Sequence, residues 1–218
     1  MGKRFELIVF DWDGTLMDSA ALIVDSVQAA ARDLGLAVPS DERARHIIGL
    51  GLVDALRHAM PDLRPDRYQE AAERYRHHYL ARDHQLCLFE GAQALVAELA
   101  GAEHFLAVAT GKSRVGLDRA LAGTGLGAYF HASRCADECH SKPHPQMIEE
   151  LMAEFGVMPE ATLMIGDTIH DLQMAKNAGV ASLAVAYGAH PRAQLESEDP
   201  LHCAATVAEM TSWLRANA

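Results

Sequence analysis

Two aspartates two residues apart, Asp11 and Asp13, stand with Gly14 and Thr15 directly after the apolar run Leu7-Ile8-Val9-Phe10. On an extended chain such residues share a face, so both carboxylates would point one way and Trp12 the other. Carboxylates held that close repel, and the repulsion is met by a divalent cation beside them or by a proton kept on one, devices that a phosphoryl-transfer site uses. The same four-residue pattern also occurs in solvated turns and in calcium loops. Further apolar segments end alike: Phe105–Ala109 runs into Thr110-Gly111-Lys112, Thr162–Ile165 runs into Gly166-Asp167-Thr168, and Lys142-Pro143 follows a mixed segment from Phe130 to Ala136. Each reads as a strand that delivers a polar residue at its carboxyl end, the edge at which open parallel sheets bind ligands.

Taken in order, Asp11-Trp12-Asp13-Gly14-Thr15-Leu16, Thr110-Gly111, Lys142-Pro143 and Gly166-Asp167-Thr168-Ile169-His170-Asp171 resemble the four motifs of the haloacid dehalogenase superfamily. The resemblance runs from Phe5 to about Tyr187. It implies a phosphatase that carries the phosphoryl group on Asp11, with Asp13 protonating the leaving oxygen and then taking a proton from water. Thr110, Gly111 and Lys142 would hold the phosphoryl oxygens. Mg²⁺ is the implied cofactor, with Asp11, Asp13 through its backbone carbonyl, Asp167 and Asp171 as the metal residues. Asp171 is open between ligation through water and orientation of Lys142. Trp12 stands where the family commonly has an aliphatic or smaller aromatic residue, a departure that concerns packing behind the site. A phosphomutase or a pyrophosphatase would use the same core, whereas a dehalogenase needs neither Asp13 nor Asp167. A catalytically silent phosphate-binding module would not need every catalytic position filled. Read singly, Thr110 and Asp167 are ordinary helix N-caps and Asp171 a surface charge.

The elements that must position these groups follow from periodicity. Leu7–Phe10, Phe105–Ala109, Thr162–Ile165 and Ser182–Ala186 read as strands, separated by helical patterns near 92–100, 114–122, 144–155 and 170–178, the alternation of a parallel sheet. Thr206 to Ala216 reads as a final helix, and Tyr187 to Asp199 as a polar loop. Between Leu16 and Gln85 the pattern is helical throughout, with Gly35, Gly49 and Pro61 as stops. The expected fold is α/β, a Rossmann-like parallel sheet core formed by residues 1–16 and 87–218, with an inserted all-helical cap at 17–86. The stripe Tyr68, Ala72, Tyr75, Tyr79 reads as packing between cap helices. Ile47-Ile48-Gly49-Leu50-Gly51 resembles the cap substrate loop of phosphoglycolate phosphatases, which places Gly49 at the substrate and makes Arg45, His46 and Arg57 candidates to meet a small carboxylated phosphate.

Among 218 residues, 19 basic against 30 acidic side chains leave a formal charge of −11, which disfavours nucleic acid and anionic membranes as partners. A small phosphorylated metabolite is the expected partner, for a monomer or homodimer. No apolar run approaches the ~20 residues of a membrane span, and a strand begins within the first ten residues, so a cytoplasmic location is expected. Cys135, Cys139 and His140 invite a zinc reading, but no second ligand pair follows at a suitable spacing. His140, His144 and His170 read as surface or supporting residues, since Mg²⁺ prefers oxygen.

Overall fold

Leu7–Phe10 is strand β1, and all four of its side chains are buried, as a strand covered by helices on both faces requires. In a computed structural model describing residues 3–218, which leaves residues 1 and 2 of the expected core segment outside the described residues, β1 lies at the centre of a six-stranded sheet. It pairs in parallel with β2 (Phe105–Thr110) on one side and β4 (Thr162–Gly166) on the other, so that Phe10 faces Val108 and Ile165. Outside these lie β3 (Ala132–Cys135), β5 (Ala181–Val185) and β6 (His202–Ala204), giving the order β3-β2-β1-β4-β5-β6 with every pairing parallel.

Alternation along the strands sorts the core into two layers. Ile8, Phe10, Leu106, Val108 and Ile165 join Trp12 on the face covered by α5 (Ala92–Gly101) and α10 (Val207–Asn217). Leu7, Val9, Ala107, Ala109 and Met164 face α7 (Gln146–Phe155) and α8 (Ile169–Asn177). Trp12 is fully buried with its ring edge-on to Phe130, so the unusual middle residue of the first motif fills the layer behind the site.

The chain between β1 and β2 supplies α1 (Ala20–Asp33), α2 (Asp41–His46), α3 (Leu52–Ala59) and α4 (Tyr68–Leu80) before α5. These four pack around Ile23, Val27, Ile47, Leu56, Met60 and Ala72, an apolar cluster of their own. The chain leaves the sheet and returns to it at one place: Asp18 donates its N–H to Cys87 O at 3.0 Å and Phe89 donates to Leu16 O at 2.9 Å. After α6 (Arg114–Thr124) the sheet resumes with β3.

The stretch read as a polar loop from Tyr187 to Asp199 contains the short helix α9 (Arg192–Glu196), seated by the fully buried Leu195, and β6 follows it. Five- and three-residue elements are too short for periodicity to register. Among the described residues no helix is long and apolar enough to cross a membrane.

A histidine joint ties the helical insertion to the sheet. His46 O accepts from His170 Nε2 at 2.8 Å and from His190 Nε2 at 3.2 Å, and the His46 and His190 rings stack 5.2 Å apart. His190 Nδ1 also accepts from Ile169 N, so this network needs the neutral imidazole. Burial, followed by the neighbouring His170 and His46 and opposed weakly by Asp171, pulls His190 down to about 4. Its folded value lies below the unfolded one, so the stability it contributes is present above pH ~6.5 and is lost as pH falls towards 4, roughly 3 kcal/mol in all. Melting curves from pH 7 to 4 should therefore fall more steeply for the wild type than for His190→Gln; parallel curves would dismiss the joint as the acid-sensitive element.

Candidate active site

The carboxyl ends of β1, β2 and β4 and the loop before α7 converge on Lys142. Its ammonium, with the side chain fully buried, lies 2.6 Å from Asp11 Oδ1 and 2.6 Å from Asp171 Oδ1. Asp171 is fixed from the other side, because Oδ2 accepts from Thr168 Oγ1 at 2.6 Å and Thr168 N at 3.1 Å in a capping box at the start of α8. Asp171 thus holds Lys142 with one oxygen while Thr168 fixes the other. Asp167, also fully buried, accepts from Thr15 Oγ1 at 2.9 Å and from Ala189 N at 2.7 Å. Gly14, at φ +84°, lies against the Asp167 carboxylate so closely that a Cβ would collide with it.

Asp11, Asp167 and Asp171 each bring a carboxylate oxygen within 4.8 Å of the others. Three carboxylates and one ammonium leave two negative charges in a space closed to water. The consequence shows in the acids: burial first, then Asp171 and Asp167 against the opposing Lys142, raises Asp11 well above the usual carboxylate range, and burial with Asp171 pushes Asp167 up to about 7. Asp11 Oδ2 is buried and has no hydrogen-bond partner. An unpartnered oxygen, an all-oxygen donor set and a deficit of two charges together fit a hard divalent cation.

Asp13 does not share this space. Its Oδ1 accepts from Ser19 Oγ at 2.7 Å and its Oδ2 lies 3.0 Å from the Lys112 ammonium. The mutual repulsion foreseen for the pair is thereby relieved by giving each aspartate its own lysine. Thr110 is buried at the end of β2, its hydroxyl accepting from Lys112 N at 3.2 Å. Beside it Gly111 lies under the carbonyls of Gly49 and Leu50, so close that any side chain there would strike the Gly49 oxygen. The same loop is pinned by Gly51 N, which donates to Ser141 Oγ at 2.8 Å.

The structure thus gathers Asp11, Asp13, Thr110, Gly111, Lys142, Asp167 and Asp171, with Gly49 closing over them. It does not bring in Arg45 or Arg57. Arg45 is exposed, and Arg57, its side chain 55% exposed, pairs with Asp54 at 3.4 Å and lies over the Tyr68 ring. His46 belongs to the joint described above, and His170 is buried there. His140 and His144 line a cleft of about 390 Å³ between α3 and the loop bearing Lys142. The site also contains Thr15 of the first motif, and Lys112, Ser19 and Tyr79, to which the sequence assigned no role there. Lys112 was signalled only by its place next to Thr110-Gly111, and Tyr79 only by the tyrosine stripe.

A family model described as Haloacid dehalogenase-like hydrolase matches residues 8–185. The chain is 37% identical to a Dickeya dadantii protein named probable phosphatase IndB, over 89% of this chain and 86% of that one. It is 31% identical to a Pseudomonas aeruginosa protein named 5'-nucleotidase, covering 98% and 97% of the two chains. It is 30% identical to a Vibrio parahaemolyticus protein named phosphoglycolate phosphatase, covering 95% of each.

Replacing Lys142 by Met leaves two buried carboxylates without their ammonium, a loss that typically costs about 3–5 kcal/mol. Lys142→Met should melt well below the wild type in metal-free buffer. Added Mg²⁺ should raise the melting temperature of both proteins, as expected of a cation taken up by the folded carboxylate cluster and not by the unfolded chain. A variant that melts with the wild type would show that Lys142 does not hold these charges.

Proposed function

The chain belongs to the haloacid dehalogenase-like hydrolases, and from that premise we propose that it is a Mg²⁺-dependent phosphatase of small phosphomonoesters which carries the phosphoryl group on Asp11. One observation supports this most: Asp11 has one oxygen held by Lys142 and the other buried with no partner, a carboxylate kept oriented with a lone pair to give.

The residues that would hold Mg²⁺ are Asp11, Asp167 and the backbone carbonyl of Asp13, while Asp171 stays engaged with Thr168 and Lys142. Bound there, the ion supplies the positive charge that lets a phosphate dianion approach a carboxylate. Lys142, the Thr110 hydroxyl and the backbone N–H groups at Gly111 bind the three non-bridging oxygens. With Asp13 entering the step in its protonated form, Asp11 attacks phosphorus, the bond from phosphorus to the ester oxygen breaks, and Asp13 gives its proton to that oxygen. Water then attacks the acyl phosphate, Asp13 takes its proton, and inorganic phosphate leaves with Asp11 restored.

The relatives named for a nucleotide and for phosphoglycolate share the phosphomonoester and differ in the alcohol, so the shared chemistry supports the reaction and leaves the alcohol to the residues around Asp13. The net charge of −11 favours a small phosphorylated metabolite over nucleic acid or an anionic membrane as partner.

Phosphate release from p-nitrophenyl phosphate tests the reading. It should require Mg²⁺, stop on chelation and vanish in Asp11→Asn, and a near-normal kcat in that variant would rule out the covalent route. For Asp13→Asn the loss should be about 10²–10⁴-fold on an alkyl phosphate, whose leaving oxygen needs the proton, and distinctly smaller on p-nitrophenyl phosphate. Equal losses on the two substrates would remove Asp13 from proton transfer.

A further inference from the structure

We propose that Lys112 and Tyr79 form the leaving-group site, and that they select phosphomonoesters carrying a second anionic group one or two carbons from the ester oxygen. The proposal rests on the phosphatase reading and assigns the substrate class of that same site.

The Lys112 ammonium lies 3.0 Å from Asp13 Oδ2, 2.9 Å from the Tyr79 hydroxyl and 4.9 Å above the Tyr79 ring. Lys112 follows β2 in the core, whereas Tyr79 belongs to α4 of the helical insertion, so this contact spans the two parts of the molecule. Tyr79 is itself steadied by Tyr75, whose ring stacks on it at 5.7 Å. The Lys112 side chain is 11% exposed and that of Asp13 10% exposed. An ammonium withdrawn this far from water needs an anionic partner. Here Asp13 provides it.

Position fixes what a substrate could offer instead. To act on the ester oxygen, Asp13 must come within about 2.6–3.2 Å of it. Lys112 lies one further hydrogen bond away, so its ammonium is within roughly 6 Å of that oxygen when the substrate is bound. A carboxylate or second phosphate on the first or second carbon reaches this distance. A neutral alcohol offers the ammonium nothing, and Lys112 keeps its hold on Asp13. An anionic one takes over the ammonium and frees Asp13 Oδ2 for the ester oxygen. The Tyr79 hydroxyl accepts from Lys112, so its own hydrogen remains free to donate to the same anionic group. Five groups thus divide the ester without overlap: Lys142 and Asp11 at phosphorus, Asp13 at the bridging oxygen, Lys112 and Tyr79 beyond it.

Lys112 offers from the core the cationic group for which the sequence makes Arg45 and Arg57 candidates. Arg45 is exposed and Arg57 is engaged by Asp54 and Tyr68, while Lys112, its side chain 11% exposed, lies beside the acid.

The test is a matched pair of substrates, phosphoglycolate and ethyl phosphate, which present the same two-carbon alcohol with and without a carboxylate. The readout is the ratio of their kcat/KM values with Mg²⁺, in which any general loss of folding or catalysis cancels. The wild type should favour phosphoglycolate. Lys112→Met should reduce that preference by about 10- to 100-fold, the scale of a lost hydrogen bond between charged groups, mainly through KM for phosphoglycolate. Lys112→Arg should recover part of the preference. Tyr79→Phe, which keeps the ring and its stacking, should reduce it by several-fold. An unchanged ratio in Lys112→Met and Tyr79→Phe, or a wild type indifferent to the carboxylate, would overturn the proposal while leaving the phosphatase reading intact. A wild type that releases phosphate from neither substrate nor from p-nitrophenyl phosphate would overturn both.

Discussion

The arrangement depends on one buried ammonium. Lys142 is enclosed completely, and its charge is tolerated only because Asp11 and Asp171 each accept from it at 2.6 Å. That requirement fixes three loops relative to one another: the end of β1 brings Asp11, the start of α8 brings Asp171, and the segment before α7 brings Lys142. The capping box at Thr168 then has two duties, since it satisfies the first turn of α8 and aims the carboxylate that positions the lysine.

Around this pair the charges are distributed unevenly. The space next to Lys142 lacks two positive charges, whereas the space around Asp13 is balanced by Lys112 and closed by Ser19 and Tyr79. Two aspartates separated by one residue therefore occupy different electrostatic settings. Asp11 keeps one oxygen on Lys142 and the other unpartnered, and Asp13 is held by groups that the insertion helps to supply. The two roles proposed for these identical side chains rest on this difference in partners.

Much of this was legible in the sequence, and the reasons differ from part to part. Strands β1, β2 and β4 are unbroken apolar runs that end in glycine or polar residues, so their existence and the edge they share could be read directly. Asp11, Thr110 and Asp167 stand at those ends and Lys142 in the loop before α7, and the order of the four segments carried the resemblance. Strand β6 and helix α9 were not legible, being too short for a period to show. Helical periodicity tells which side of α2 or α3 is buried but not which exposed arginine meets a ligand. Arg57 is occupied by Asp54 and Tyr68 instead. The tyrosine stripe was read as packing, and Tyr75 and Tyr79 do stack, yet which hydroxyl would find a lysine from the far side of the cleft is a tertiary fact with no local signal.

The two crossings between the sheet and the helical insertion have a mechanical meaning. Leu16 to Asp18 and Cys87 to Phe89 run side by side, with Met17 bridged to Leu88 in antiparallel fashion and a hydrogen bond on either side of that bridge. They form a short two-ply strap rather than two independent threads. Such a strap bends readily across its width, but sliding one ply along the other breaks both bonds at once, so its compliance is confined to a single sense of rotation. Any movement of the insertion at this strap would follow that one sense, parting and rejoining the Lys112–Tyr79 contact along a single arc.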